Sequence, residues 1–218
     1  LNWIHKFDLF LFDFDGLLVN TEELHLEAYK ELCLRHGIVL DWSLNQFFEI
    51  AHLSATGLKE ALYPRFINGE IWEDLYTEKK QIYQTLIEKG HLTLMPGVEP
   101  LLKALEQSNK KRCVVTHSAK ASVDLIREKI AILQTIPQWF TRESYQQPKP
   151  HPDGYLTALK ALAKPGDRVV GFEDSARGLT ALKAAGVETA LLICPPNHPQ
   201  LKTGDLSFYR SLLDIEHA

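Results

Sequence analysis

Two aspartates, Asp13 and Asp15, lie in the stretch LFLFDFDGLLVNTEE (Leu9–Glu23), at the end of an apolar run and directly before Gly16. Residues i and i+2 of an extended chain point the same way, so both carboxylates leave one side of a strand end. Other short apolar runs also finish in polar residues. KRCVVTHS (Lys111–Ser118) ends in Thr116, His117 and Ser118, and DRVVGFED (Asp167–Asp174) ends in Glu173 and Asp174. Lys149 follows a third core segment. If these ends meet, Asp13, Asp15, Thr116, Lys149, Glu173 and Asp174 share one crevice. Such a carboxylate cluster repels itself and loses hydration unless a cation sits in it. Hard oxygen ligands favour magnesium over zinc. Magnesium together with Lys149 makes the crevice receptive to an anion such as phosphate, with Thr116 and backbone N–H groups on its oxygens. Phosphoryl transfer is the chemistry expected.

The ends meet only if the strands run side by side in one direction. Phe7–Phe12 is apolar except for Asp8, and VETALLIC (Val187–Cys194) repeats the form of a charged lead-in and a short apolar run. Between these runs lie the helical patterns GVEPLLKALEQS, SVDLIREKI, DGYLTALKALA and SARGLTALKAAG. Strands alternating with helices predict a doubly wound α/β core around a parallel sheet, whose crevice lies beyond the carboxyl ends of the strands. From about Thr21 to Thr93 the alternation gives way to helix-like segments with apolar residues three or four apart. The predicted organisation is an α/β core of residues 1–20 and 94–218 with a helical insertion of 21–93. Pro96 and Gly97 punctuate the return to the core, and Asn20 and Thr21 are expected to cap the first inserted helix.

The 218 residues are 45% apolar and 24% charged, an ordinary globular composition able to bury a sizeable core. A formal net charge of −4 gives no electrostatic reason to expect nucleic acid or an anionic membrane as a partner. Cys33, Cys113 and Cys194 are far apart and odd in number, which points to neither a disulfide framework nor a zinc site. With no signal-like start and no membrane-length apolar run, the expectation is a monomer in a reducing cytoplasm.

Taken together, DFDGLLVNTE, VVTHS, the KP of Lys149–Pro150 and GFEDS resemble, in order, the four signature motifs of the haloacid dehalogenase-like superfamily. The resemblance spans essentially the whole chain and is near the phosphoglycolate phosphatase and β-phosphoglucomutase branch. It implies a Rossmann-like core with a four-helix cap between the first two motifs. By position, Asp13 resembles the nucleophile that forms an aspartyl phosphate, and Asp15 the general acid and then base. The resemblance further implies magnesium held by the Asp13 carboxylate, the Asp15 carbonyl and Asp174, with Glu173 in support. Thr116 and Lys149 would bind the transferring phosphoryl group. An acid at Asp15 requires a pKa well above the roughly 3.9 of a free aspartate. Carboxylate neighbours raise it and a metal lowers it, so the sign stays open.

His117 stands where the resembling phosphatases usually carry asparagine, and either its backbone N–H or its ring serves the phosphate. Asn20 stands where the family often shows aspartate. His25 matches a histidine of the mutase branch, and Lys79 matches a cap lysine near its substrate, against the simpler reading of a helix-face lysine. The mutase branch also carries a cap arginine that grips a distal phosphate, and Ala55 falls at that position. Arg65 is the replacement to consider, and His52, Lys59 and Lys79 are further candidate substrate contacts. These considerations favour hydrolysis of a small phosphorylated metabolite, of sugar-phosphate or phosphoglycolate type. A sugar-phosphate mutase is the alternative, and a non-catalytic phosphate-binding protein belongs to a different class.

Overall fold

Every side chain of Leu9–Phe12 (β1) is buried, as a strand covered on both faces requires. The computed structural model describes residues 1–52, 56–90, 92–203 and 207–217. β1 is joined by Lys111–Val115 (β2), Gln138–Phe140 (β3), Val169–Glu173 (β4), Thr189–Ile193 (β5) and Phe208–Tyr209 (β6) in one six-stranded sheet ordered β3-β2-β1-β4-β5-β6. All the pairings are parallel. The order reverses beside β1, which opens a crevice at the carboxyl ends of β1 and β4. Phe12 is in register with Val114 of β2 and Phe172 of β4, so Asp13 and Glu173 emerge at the same edge.

Alternation along β1 divides the core. Phe10 and Phe12 join one buried cluster, and Leu9 and Leu11 the other. Among the described residues, four α-helices fill the stretch between β1 and Val98: Glu22–Arg35 (α1), Leu44–Ala51 (α2), Gly57–Leu62 (α3) and Trp72–Lys89 (α4). Val98–Gln107 (α5) and Lys120–Lys129 (α6) cover the Phe10/Phe12 face, where they bury Leu101, Leu105, Val123 and Ile126. Asp153–Leu162 (α7) and Ala176–Ala184 (α8) cover the opposite face through Tyr155, Ala158, Ala181 and Leu182. Gly171 lets α8 approach closely, since a Cβ there would meet the Leu182 side chain.

β1 begins at Leu9 rather than Phe7, because Asp8 turns its carboxylate to the Arg168 N–H (3.0 Å) and guanidinium (3.2 Å). The edge strand β6 carries too little pattern in two residues to be foreseen. Cys33, Cys113 and Cys194 are buried free thiols. Among the described residues no helix is long and apolar enough to cross a membrane.

The chain enters and leaves the helical insertion through two segments lying side by side. The Asn20 N–H donates to the Thr93 carbonyl (2.9 Å), the Met95 N–H donates to that of Leu18 (3.0 Å), and Val19 bridges Leu94. The expected capping by Asn20 and Thr21 does not occur: Thr21 precedes α1 in a helical conformation and its side chain makes no cap bond. Its hydroxyl turns to Asp15 instead. Ser43 does cap α2, in a reciprocal box with Gln46. Within the insertion, α1 packs chiefly on α4.

Candidate active site

The strand ends and the insertion enclose a cavity of about 390 Å³ lined by Asp13, Asp15, Thr116, Lys149, Glu173 and Asp174. Convergence from four separate segments follows from parallel strands ending at one edge. Gly16, at φ 72°, turns the chain directly after the two aspartates, and a Cβ there would collide with a carboxylate oxygen of Asp174. A Cβ on Gly178, in the first turn of α8, would fall on the Glu173 carboxyl, so both glycines make room for acids.

Lys149 sits among these acids. Its ammonium pairs with Asp13 and with Glu173 (2.6 Å), and donates to the Val115 carbonyl (2.9 Å). Burial opposes that charge, but the two carboxylates outweigh it and hold the Lys149 pKa above the ordinary lysine value. Burial and then the Glu173 charge push Asp13 well above the carboxylate range, against the pull of Lys149. Glu173 is 1% exposed and also accepts a hydrogen bond from the Tyr155 hydroxyl. Burial raises Asp174 to about 7, with His52 lowering it and Glu22 and Glu173 raising it.

Asp15 has a different environment. Its Oδ1 accepts from the Thr21 hydroxyl (2.8 Å) and faces His25 Nε2 at 3.7 Å. Its Oδ2 accepts from Ser118 (2.6 Å) and Thr116 (3.1 Å). Burial pushes Asp15 upward, but His25, Ser118 and Thr21 outweigh it and hold the group below the usual carboxylate range. The sign left open by the sequence is therefore downward, and Asp15 is ionised at neutral pH. Thr21 and Ser118 were not foreseen as its donors. Ser118 lies two residues beyond Thr116 in the same strand-end loop, and that proximity was the available signal.

His25 and Lys79 both reach the site. Lys79 Nζ lies 2.7 Å from His25 Nδ1 and over the rings of Tyr29 and Tyr83, and His25 stacks on Tyr83 at 4.0 Å. Lys79 is only 4% exposed, so the helix-face reading is wrong. Leu75, Lys79 and Tyr83 recur every four residues, which places the lysine on the apolar stripe of α4. Burial drives its pKa down to about 7, against the Glu22 and Asp15 charges. Between pH 7 and 10.5 the unfolded chain then binds more protons at this residue than the folded one, so its contribution to stability rises with pH across that window. Its destabilising effect is complete below pH 7. Lys79→Met is expected to stabilise the protein by ~1–3 kcal/mol at pH 6.5, with the gain shrinking toward zero by pH 10.5. Thermal melts of both proteins across that range check this, and a pH-independent difference would refute it.

His117 stands exposed at the rim, 6.0 Å from the Tyr145 ring. Partial burial followed by Arg142 and Arg177 lowers its pKa to about 4, which leaves the ring neutral at physiological pH. His52 and Lys59 line the cavity. Arg65 does not: it is exposed, with its guanidinium over the Trp42 ring at 5.5 Å, because packing on that indole turns it away. Ala55 lies outside the described residues.

The donor chemistry suits a hard cation. Carboxylate oxygens of Asp13, Glu173 and Asp174 lie within 4.8 Å of one another, and the missing side chain at Gly16 lets the Asp174 carboxylate reach this position. A second cluster went unforeseen, since it joins Glu22 and Asp174 to His52 of the insertion. His52 Nε2 is 3.5 Å from Glu22 Oε1. Burial opposes the imidazolium, but Asp174 and Glu22 raise the His52 pKa to about 9.

Residues 10–192 match the haloacid dehalogenase-like hydrolase family. The chain belongs to this family. It is 32% identical over 194 residues to the protein CbbY of Rhodobacter capsulatus, covering 83% of each chain. It is 29% identical over 199 residues to (DL)-glycerol-3-phosphatase 2 of Arabidopsis thaliana, covering 85% of this chain and 79% of that one. The fold is shared with the crystal structure of CbbY from Rhodobacter sphaeroides in complex with phosphate, at a TM-score of 0.78, 24% identity and 96% coverage of both chains. A β-phosphoglucomutase from Clostridium difficile superposes at a TM-score of 0.75 and 22% identity, covering 97% of this chain and 94% of that one. The chain is thus an enzyme of the haloacid dehalogenase-like hydrolases, among whose members are named phosphatases.

Proposed function

We propose that this haloacid dehalogenase-like hydrolase is a magnesium-dependent phosphatase of a small phosphorylated metabolite. The observation that carries the reading is the pair of aspartates in one cavity with opposite environments: Asp13 against Lys149 and the acids, Asp15 among hydroxyl donors. Asp15 takes up a proton from solvent as the anionic substrate enters beside it; an Asp13 carboxylate oxygen then attacks phosphorus, the ester P–O bond breaks, and the leaving oxygen takes that proton from Asp15. Asp15 then removes a proton from water, which attacks the aspartyl phosphate. The P–O bond to Asp13 breaks, and inorganic phosphate and the free carboxylate result. The ionised Asp15 is ready for the second step. Entry of an anionic phosphoryl group beside it raises its proton affinity, the direction the first step needs.

Asp13 and Asp174, with the Asp15 carbonyl and Glu173 in support, would hold the magnesium ion. When bound, the ion supplies positive charge to the phosphoryl oxygens. Lys149 and Thr116 bind the same oxygens, with the backbone or neutral ring of His117 beside them. Residues 21–93 act as the cap over this site and exclude bulk water. Substrate size is limited by the cavity, and Lys59, Lys80, Trp72 and Tyr76 on its lining suit a sugar-type phosphate with hydroxyl groups. The phosphatases of glycerol 3-phosphate and of validoxylamine A 7'-phosphate among the relatives support that class.

The mutase reading is second, favoured by His25 and Lys79 beside Asp15. Against it, Arg65 does not line the cavity that a distal phosphate would occupy. Purified protein with magnesium is expected to release phosphate from an aryl phosphate and from members of a sugar-phosphate, glycerol 3-phosphate and phosphoglycolate panel, and to stop on chelation. Phosphorus NMR with β-glucose 1-phosphate is expected to show free phosphate. Silence across the panel, or glucose 6-phosphate as product, overturns the reading.

A further inference from the structure

Besides the paired segments through which the chain passes and the packing of α4 on α6, the insertion touches the core where α2 meets the segment after β5. After β5 the chain forms a short turn of helix, Pro199–Thr203. His198, just before it, is 4% exposed and meets the ring of Phe48 in α2 at 4.6 Å and that of His52, directly after α2, at 5.1 Å, the latter stacked. Phe48 and His52 themselves lie 4.8 Å apart, so three rings from two parts of the fold form one cluster. Lys202 pairs with Glu49 of α2 at 3.5 Å on the outer rim.

The same segment reaches the metal-ligand turn. Gln200 is fully buried, and its backbone N–H donates to His198 Nδ1 at 3.3 Å, which fixes the ring. Its side-chain amide donates to the Asp174 carbonyl (2.7 Å), while its oxygen accepts from the Ala176 N–H (2.6 Å). A continuous chain of contacts thus runs from α2 through His198 and Gln200 to the turn that presents Asp174. Loop residues that serve only as surface connection have no reason to bury an amide in this way.

We infer that residues 198–202 are the docking platform on which the insertion seats in its closed arrangement, and that His198 is the positioning residue that sets this seat and couples it to Asp174. The clasp is suited to reversible use. Ring contacts favour it, yet His52 Nδ1 and His198 Nε2 are buried with no hydrogen-bond partner among the described residues, which weakens the closed state. Ligands that bind only the closed arrangement lose apparent affinity in proportion to its population.

The catalytic arm of the test rests on the phosphatase reading, whereas the scattering arm does not. His198→Ala is expected to raise KM for a hydrolysed phosphate ester about tenfold with kcat within about twofold. His198→Phe, which keeps a ring in place, is expected to restore the wild-type KM. Small-angle scattering of the metal-free proteins is expected to give a larger radius of gyration for His198→Ala than for wild type and His198→Phe. Equal KM and equal radius in all three proteins overturn the inference, as does equal loss in the alanine and phenylalanine variants. If no ester is hydrolysed, the scattering comparison alone decides.

Discussion

Asp13→Asn is expected to lower phosphatase kcat/KM by at least about 10³-fold while the protein stays folded. An amide fills the same space at the end of β1 but cannot attack phosphorus, so no aspartyl phosphate forms. A loss of that size is about 4 kcal/mol of transition-state stabilisation. The fold has little reason to suffer. Asp13 is held in a crowd of like charges, and its replacement leaves Lys149 with Glu173 as partner at 2.6 Å. Melting temperature is expected to remain level or rise. Steady-state kinetics with magnesium beside a thermal melt make the test, and a variant retaining a tenth of wild-type turnover would remove Asp13 from the nucleophile's role.

Lys149→Met is expected to have the largest effect on stability. Lys149 is 8% exposed, and its ammonium faces Asp13 and Glu173 with Asp174 next to them. Removing the cation leaves buried carboxylates facing one another, and breaking a buried pair from one side costs about 3–5 kcal/mol. For a chain of this size that is roughly 6–20 °C in melting temperature. Any ion that binds only the folded cluster returns stability by mass action, so magnesium is expected to raise the variant's melting temperature more than the wild type's. Turnover falls at least about 10²-fold, because the charge on the transferring phosphoryl group has lost a fixed partner. A variant as stable as wild type in chelator would show that the acids do not need this lysine.

The reach of the sequence differs between the two parts of the molecule. In the core, a strand announces itself by an apolar run and its end by the first polar residue. Asp13, Thr116 and Glu173 were legible because β1, β2 and β4 run parallel and in register, which puts their ends at one edge. In the insertion, helical spacing showed which faces are apolar but not which neighbour each face meets. Lys79 looked like a surface charge, yet α4 packs on α1 with that lysine inside, against Tyr29 and His25. Arg65 looked like a cavity residue, yet it lies on Trp42.

By itself, then, the sequence determined the order of strands and helices, the family, and the acids, hydroxyl and lysine gathered at the strand ends. Each of these is local pattern or repeats a pattern already present in one segment. Only the tertiary structure decided the charge state of Asp15, through donors at positions 21 and 118 and the ring of His25. It also decided the meeting of His52 with Glu22 and Asp174, and the seat that His198 offers to α2. The physical reason is that each of these contacts depends on how a loop turns or a helix rotates and packs, which periodicity in one stretch does not encode; even Thr21, close to Asp15 in the chain, meets it only through the turn at Gly16.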